Sequence, residues 1–129
     1  MNTVPTKTIR KNINNLTNSI MDQKTQLGHL YIDITVALTN ARSANNQHQY
    51  RQNLAVLASE AVSIAKEIAQ QRNALAKLHA MNDDCLEMSE EDYASTFNDF
   101  KNKVVQRDVQ LQQLQNKYDD AKNIANVNM

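Results

Sequence analysis

The sequence predicts an all-α fold, an elongated up-down-up antiparallel three-helix bundle or coiled coil formed by a single domain over residues 1–129. One glycine and one proline among 129 residues are too few for the turns of a β-sandwich or barrel, or for a glycine-rich phosphate loop. Apolar residues recur at alternating spacings of three and four, which is the pattern of a coiled-coil seam, and no alternation by two persists. Only 41% of the residues are apolar, so little core is available per residue.

The first helix is predicted at about residues 6–42. Pro5 fits a first helical turn, where its missing N–H leaves no bond unmade. Gly28 lies inside the helix at a cost of about 1 kcal/mol relative to alanine, and a close helix crossing would explain it. Tyr31 and Leu38 form a weaker second stripe beside the seam. The seam positions are Ile9, Ile13, Leu16, Ile20, Gln23, Leu27, Leu30, Ile34, Ala37 and Ala41.

The second helix is predicted at about residues 48–81, between turn-forming residues at 43–46 and 82–84. Its seam positions are Tyr50, Leu54, Leu57, Ala61, Ile64, Ile68, Gln71, Leu75 and Leu78. A second stripe of mostly small residues lies beside this seam and consists of Ala55, Ala58, Val62, Ala65, Ala69 and Ala76. Two interpretations stay open: the helix packs on both sides within its own bundle, or the stripe is a groove for a partner helix at close approach.

The third helix is predicted at about residues 90–125. Ser89 followed by Asp92 resembles a capping box at its start. Its seam positions are Tyr93, Phe97, Phe100, Val104, Arg107, Leu111, Leu114, Tyr118, Ala121 and Ala125. The three helices have similar lengths and short connections, which favours antiparallel neighbours. This topology places the basic start of the first helix (Lys7 to Lys11) at the same end as the acidic run over residues 83–92, where the two can complement each other or simply face water.

Each seam is interrupted once by a polar residue, at Gln23, Gln71 and Arg107. Counting from the predicted turns, the two glutamines are nearly level, and Arg107 is offset by about 9 Å. We expect the glutamines to hydrogen-bond each other inside the bundle and fix its register, with Arg107 joining them or pointing at a partner acid. The alternative is that these positions face water. If the layer exists, replacing both glutamines by leucine is expected to raise the melting temperature and loosen the register.

The residues needed for catalysis or for a metal site are not brought together by the pattern. The histidines His29, His48 and His79 are widely spaced, and no Glu-x-x-His pair of a di-iron bundle occurs. A single cysteine, Cys85, excludes a disulfide framework and a cysteine-based zinc site. The cluster of His79 with residues 83–85 is interpreted as a polar loop. We therefore expect no enzyme activity, no catalytic residues, no metal and no cofactor.

Charge and hydropathy argue against nucleic acid and membranes as direct partners. Fourteen basic and fourteen acidic residues cancel, whereas nucleic-acid-binding domains are basic. Lys101, Lys103 and Arg107 are the best candidates for a basic patch, but a solvated helix face is the preferred interpretation. The most apolar stretch, residues 30–38, is interrupted by an aspartate and is too short to span a bilayer. With no signal-peptide core at the N-terminus, the sequence predicts an intracellular protein.

The start of the third helix carries a resemblance. Tyr93-Ala94-Ser95-Thr96-Phe97-Asn98-Asp99-Phe100-Lys101 precedes a Leu/Gln/Lys-rich coiled coil, and two long helices and an acidic loop come before it. This order resembles the N-terminal helical half of the SUMO ligase subunit of the SMC-five/SMC-six complex, which acts in DNA repair and chromosome maintenance. The resemblance implies docking along the coiled-coil arm of an SMC subunit, and a nuclear location. No RING-type Cys/His set follows, so SUMO transfer by this chain alone is not implied.

The sequence therefore predicts a non-catalytic interaction or scaffold module that docks on a partner coiled coil or self-associates. The alternative is a structural subunit of another small-helical assembly, of the vesicle-tethering, lysosome-positioning or kinetochore type, with a cytoplasmic location. The residues predicted to bind the partner lie on the stripe of the second helix and on the seam of the third. They are Ala55, Ala58, Val62, Ala65, Ala69, Phe97, Phe100, Val104, Arg107, Leu111 and Leu114.

Overall fold

The computed structural model describes residues 2–41, 48–83 and 87–127. Within these ranges the chain forms three long helices, α1 (Thr6–Ala41), α2 (His48–Asp83) and α3 (Glu90–Val127). Each helix contacts the other two. The predicted all-α three-helix bundle is therefore confirmed, with helix ends within two residues of those expected wherever they can be compared. Residue 42 and the predicted turn at 43–46 lie outside the described residues.

Contacts between the helices give their directions. In the contacts between α1 and α3, the residue numbers of both partners increase from one contact to the next. These contacts are Asn12–Tyr93, Gln23–Asp108 and Asp33–Tyr118. Contacts between α2 and α3 run in opposite senses, at Gln71–Phe100 and Glu60–Lys117. Thus α1 and α3 are parallel, α2 is antiparallel to both, and the predicted up-down-up order is present.

The core lies along the three predicted seams. Ile20, Ile34, Leu54 and Leu111 are fully buried at its centre. Leu16, Ala37, Tyr50, Leu78, Tyr93 and Phe100 are half-buried positions packed against the core. The spacing of three and four places each seam on one side of its helix, so burial follows the sequence pattern along the whole bundle.

The starts of α1 and α3 have recognisable local chemistry. The carbonyl of Pro5 accepts the backbone N–H groups of Thr8 and Ile9 at 3.0 and 3.2 Å. The N–H of Asp92 donates to the Ser89 hydroxyl oxygen at 3.1 Å, which confirms the serine half of the predicted capping box. The acidic residues of the first turn of α3 also favour this end of the helix electrostatically.

A short antiparallel ladder joins the N-terminus to the start of α3, and the sequence pattern did not predict it. Strand β1 (Thr3–Val4) pairs with β2 (Met88–Ser89). The backbone N–H of Glu90 also donates to the carbonyl of Asn2 at 3.2 Å. Val4 and Met88 pack against the core, so the ladder covers one end of the bundle. It places the basic start of α1 beside the acidic start of α3, as the predicted topology requires.

Candidate functional site: an apolar groove between α1 and α2

An open groove of about 380 Å³ runs between α1 and α2. Both walls come from these two helices, and none of the described lining residues belongs to α3. Its lining consists of Lys24, Leu27, Gly28, Tyr31, Ala61, Val62, Ala65, Ile68, Ala69 and Arg72. The same cleft continues toward the start of α1, where Asn14, Thr17, Ala76 and His79 line a second stretch that shares Arg72 with the first.

The later part of the small-residue stripe of α2 forms one wall of this groove, with Val62, Ala65 and Ala69 in the first stretch and Ala76 in the second. Ala55, Val62, Ala65 and Ala69 are exposed, and Ala58 is half-buried. Val62 is 42% exposed although it is a large aliphatic residue. The interpretation in which α2 packs on both sides within its own bundle is therefore wrong for the exposed members of the stripe, whereas Ala58 packs against the core. The other interpretation, a groove open to a partner, agrees with the exposure, and partner binding itself stays a prediction.

Gly28 lies in the opposite wall, and the expected reason for it was wrong. Apart from its chain neighbours and the nearby backbone of α1, a Cβ atom added at Gly28 would have no described heavy atom within 4 Å, so no close crossing among the described residues requires glycine. Tyr31, one turn along the same wall, is 39% exposed. The missing side chain instead leaves space in the groove, and the cost of glycine within a helix has no compensation inside the folded chain.

The charge in the groove is of one sign. Lys24 and Arg72 are both exposed, and among the residues that the structure describes no carboxylate lines either stretch of the cleft. Their neighbours three and four positions away along each helix are uncharged. In the part of the chain that the structure describes, neither residue forms an ion pair. The first stretch of the groove therefore has mostly apolar walls and two cations, and the second stretch adds the polar side chains of Asn14, Thr17 and His79.

Beneath these cations lies a buried polar layer. Gln23, Gln71 and Arg107 are 3%, 5% and 3% exposed. The Arg107 Nη1 donates to Gln23 Oε1 at 3.0 Å and also to Gln71 Oε1. Lys24 and Arg72 directly follow the two glutamines in the sequence, so the cations lie at the same level on opposite walls of the groove.

The remaining bonds of the layer hold α3 against the other two helices. Gln23 Nε2 donates to the Val104 carbonyl at 2.8 Å and to Asp108 Oδ1 at 2.7 Å. Gln71 Nε2 donates to the Phe100 carbonyl at 3.0 Å. The predicted buried layer is confirmed, with Arg107 joining it. The predicted direct bond between the glutamines is wrong, because both carbonyl oxygens accept from the same guanidinium.

Burial sets the electrostatics of the layer. Desolvation lowers the pKa of Arg107, and the carboxylates of Glu67 and Asp108 partly offset this effect. A slip of α3 by one heptad toward the end of α1 would place the guanidinium level with Leu30 and Ile64, where no acceptor side chain is available. The layer thus penalises that register, as single polar positions do in coiled coils.

The predicted partner-binding residues of α3 lie in the core of the bundle. Phe97, Val104, Arg107, Leu111 and Leu114 are buried, and Phe100 is half-buried. The ring centroids of Tyr93 and Phe97 lie 4.6 Å apart, and those of Phe97 and Phe100 lie 6.5 Å apart. Since α1 and α2 already cover this seam, it is not an open surface in the folded chain.

A second cleft, between α2 and α3, is polar. Glu67, Gln70, Gln71, Asp99, Lys103 and Gln106 contribute to its lining. Lys103 pairs with Asp99 at 3.3 Å, and Lys117 pairs with Glu60 at 3.3 Å on the same side of α2. Lys101 and Lys103 are exposed as expected for a solvated helix face, whereas Arg107 is buried, so that expectation is wrong for Arg107.

Sequence reasoning missed the two cations of the groove. Arg72 continues the stripe of Ala65 and Ala69 at helical spacing, and Lys24 holds the corresponding place beside Gly28 and Tyr31. Extending each stripe by one helical turn would have identified Lys24 and Arg72 as lining residues. The signal that was missed is that each charge lies on the same helix face as the small residues.

The structure offers no arrangement for metal chemistry within the described ranges, where no three His, Cys, Asp or Glu side chains gather as metal ligands would. Asp84 and Cys85 of the predicted polar loop lie outside those ranges. Across the same ranges, no helix has the length and apolar character needed to cross a bilayer. Comparisons with protein-family models, with curated proteins and with solved structures find no match for the chain.

Proposed function

We propose that this chain is a non-catalytic interaction module that docks a helix of a partner protein in the groove between α1 and α2. The observation that carries this proposal is the uncovered groove wall of small residues in an otherwise well-packed bundle. Val62, Ala65 and Ala69 keep this wall apolar, whereas exposed helix faces are normally polar.

The shape of the groove favours a helix as the occupant. Both walls present side chains at spacings of three and four, so they form ridges that fit between the ridges of another helix. Small residues allow two helix axes to approach closely, and Gly28 extends this property to the second wall. A partner coiled coil would present such a helix, which agrees with the function expected from the sequence.

The narrower proposal is that the partner is the coiled-coil arm of an SMC subunit in a chromosome-maintenance complex. Its support is the resemblance of residues 93–101 and the order of the helices. The aromatic residues of that segment form core contacts in the bundle, so any docking surface shared with that family would have to lie elsewhere, as the α1–α2 groove does.

Site-specific photo-crosslinking in cells of the native source tests the proposal. A photoreactive phenylalanine analogue at Ala65 is expected to crosslink one protein at a helical segment, identified by mass spectrometry. The matched position is Val109, which is exposed on α3 outside the groove and is expected to give no crosslink to that segment. Equal crosslinking from both positions, or none from Ala65, would contradict a docking groove. The identity of the crosslinked protein tests the narrower proposal.

A further inference from the structure

We infer that the partner helix in the α1–α2 groove carries acidic side chains beside a small or apolar face, and that Lys24 and Arg72 select it by charge. This inference rests on the proposed function and specifies the chemistry of the partner. It is drawn from the two cations and from the lining of the cleft, in which the described residues include no carboxylate.

The position of the cations makes them selective. Arg72 belongs to both stretches of the cleft, and Lys24 is level with it across the groove because Gln23 and Gln71 share the Arg107 donor. A helix lying along the groove must therefore pass between the two charges. A carboxylate at that point could pair with both, whereas a lysine or arginine there would be repelled.

The length of the cleft sets the length of the partner segment. The wall of α2 runs from Ala61 through Arg72 to His79, which is about 27 Å at 1.5 Å per residue. A partner helix of about five turns would cover it. The acid that meets Lys24 and Arg72 would lie near the middle of that helix.

A second copy of this chain fits less well. Two copies joined groove to groove would contribute four cations and no lining carboxylate, so the charges would be desolvated without a counterion. An acidic helix removes that penalty. The expected occupant is therefore a segment of a different protein, with acids on the sides of its apolar face.

A peptide selection tests the inference with the full chain as target. The probe is a displayed library of alanine-rich helical peptides of about 20 residues, with Asp, Glu, Lys, Arg or Gln allowed at the flanking positions. Selected peptides are expected to be enriched in Asp and Glu. The Lys24→Glu, Arg72→Glu double variant is expected to select Lys and Arg instead. The Lys101→Glu control alters an exposed charge on α3 and should leave the acidic preference unchanged.

Affinity measurements complete the test. A selected acidic peptide should bind the neutral variant Lys24→Gln, Arg72→Gln at least about tenfold more weakly than the parent chain, and Lys101→Glu should bind it as the parent does. Circular dichroism of each variant checks that the bundle is folded.

The outcomes separate the inference from the function on which it rests. Peptides without acidic preference that Ala65→Arg still blocks would overturn the inference and leave the docking groove standing. A selection that yields no binder, or binders indifferent to Ala65→Arg, would overturn both. A dimer in sedimentation that Ala65→Arg converts to monomer would show that a second copy occupies the groove, and would also overturn the inference.

Discussion

The two clefts beside α2 differ in whether their charged residues form ion pairs within the chain. In the α2–α3 cleft, charges of both signs meet, and the pairs Lys103–Asp99 and Lys117–Glu60 lie along it. In the first stretch of the α1–α2 groove, the walls are mostly small and apolar, and none of the described residues that line it with Lys24 and Arg72 is acidic. The first cleft is what a helix surface facing water usually looks like. The second is more apolar than helix surfaces that face water usually are.

The largest expected difference in the free energy of unfolding is between the same substitution on the core side of α2 and on its groove side. Ala61 is 1% exposed, whereas Ala65, one turn later, is exposed. Ala61→Arg should reduce the free energy of unfolding by more than about 4 kcal/mol, because it overpacks the core and buries a charge. Ala65→Arg should change it by no more than about 0.5 kcal/mol. Denaturant unfolding followed by circular dichroism measures both, and equal losses would mean that the groove is covered within the chain.

The next largest effect concerns the polar layer. From the sequence, replacing both glutamines by leucine was expected to raise the stability of the bundle, whereas the structure predicts that it lowers the stability. Gln23→Leu with Gln71→Leu removes both acceptors of Arg107 and leaves a buried guanidinium without them. The free energy of unfolding should fall by about 3–5 kcal/mol. Adding Arg107→Leu should recover that loss, since the layer is then apolar throughout. Thermal and denaturant unfolding of the double and triple variants decide this, and a double variant more stable than the parent would argue against the arginine-centred layer.

The smallest effect concerns the wall of the groove. Gly28→Ala should raise the free energy of unfolding by about 0.5–1 kcal/mol, because alanine favours the helix and the added methyl group meets no atom of the chain. The same methyl group enters the groove, so the affinity for the partner helix should fall while stability rises. Unfolding and peptide-binding measurements on this one variant give both quantities. Unchanged affinity would show that the groove does not require close approach at Gly28.

The helices and their seams could be predicted from the sequence because each seam repeats over four heptads or more, and burial follows that repeat. The polar layer was also foreseeable, since Gln23, Gln71 and Arg107 occupy seam positions. The hydrogen-bond partners within the layer were not foreseeable. A guanidinium that reaches both glutamines competes with a direct bond between them, and only the packed positions of the three helices decide which bond forms.

The candidate site was only half predictable for a physical reason. A seam shows that a helix face is covered, but its spacing is the same whether the cover comes from this chain or from another. The seam residues of α3, such as Phe97 and Leu111, were therefore assigned to a partner although α1 and α2 cover them. From sequence alone, the stripe around Ala65 could equally have been covered by α3 or left exposed. It is exposed because α3 packs on the other side of the α1–α2 pair. The β1–β2 ladder has two residues in each strand, too few to show any period.

That ladder has a consequence for the order in which the bundle assembles and opens. It joins Val4 to Met88 across a stretch of chain that contains both α1 and α2, so forming it early would require closing a very long loop for little gain. The helices must pack first, and the ladder then closes over their end. In hydrogen exchange, the amides of residues 3–4 and 88–89 should therefore open together and early, whereas the amides beside Leu54 and Leu111 should exchange only when the whole bundle unfolds.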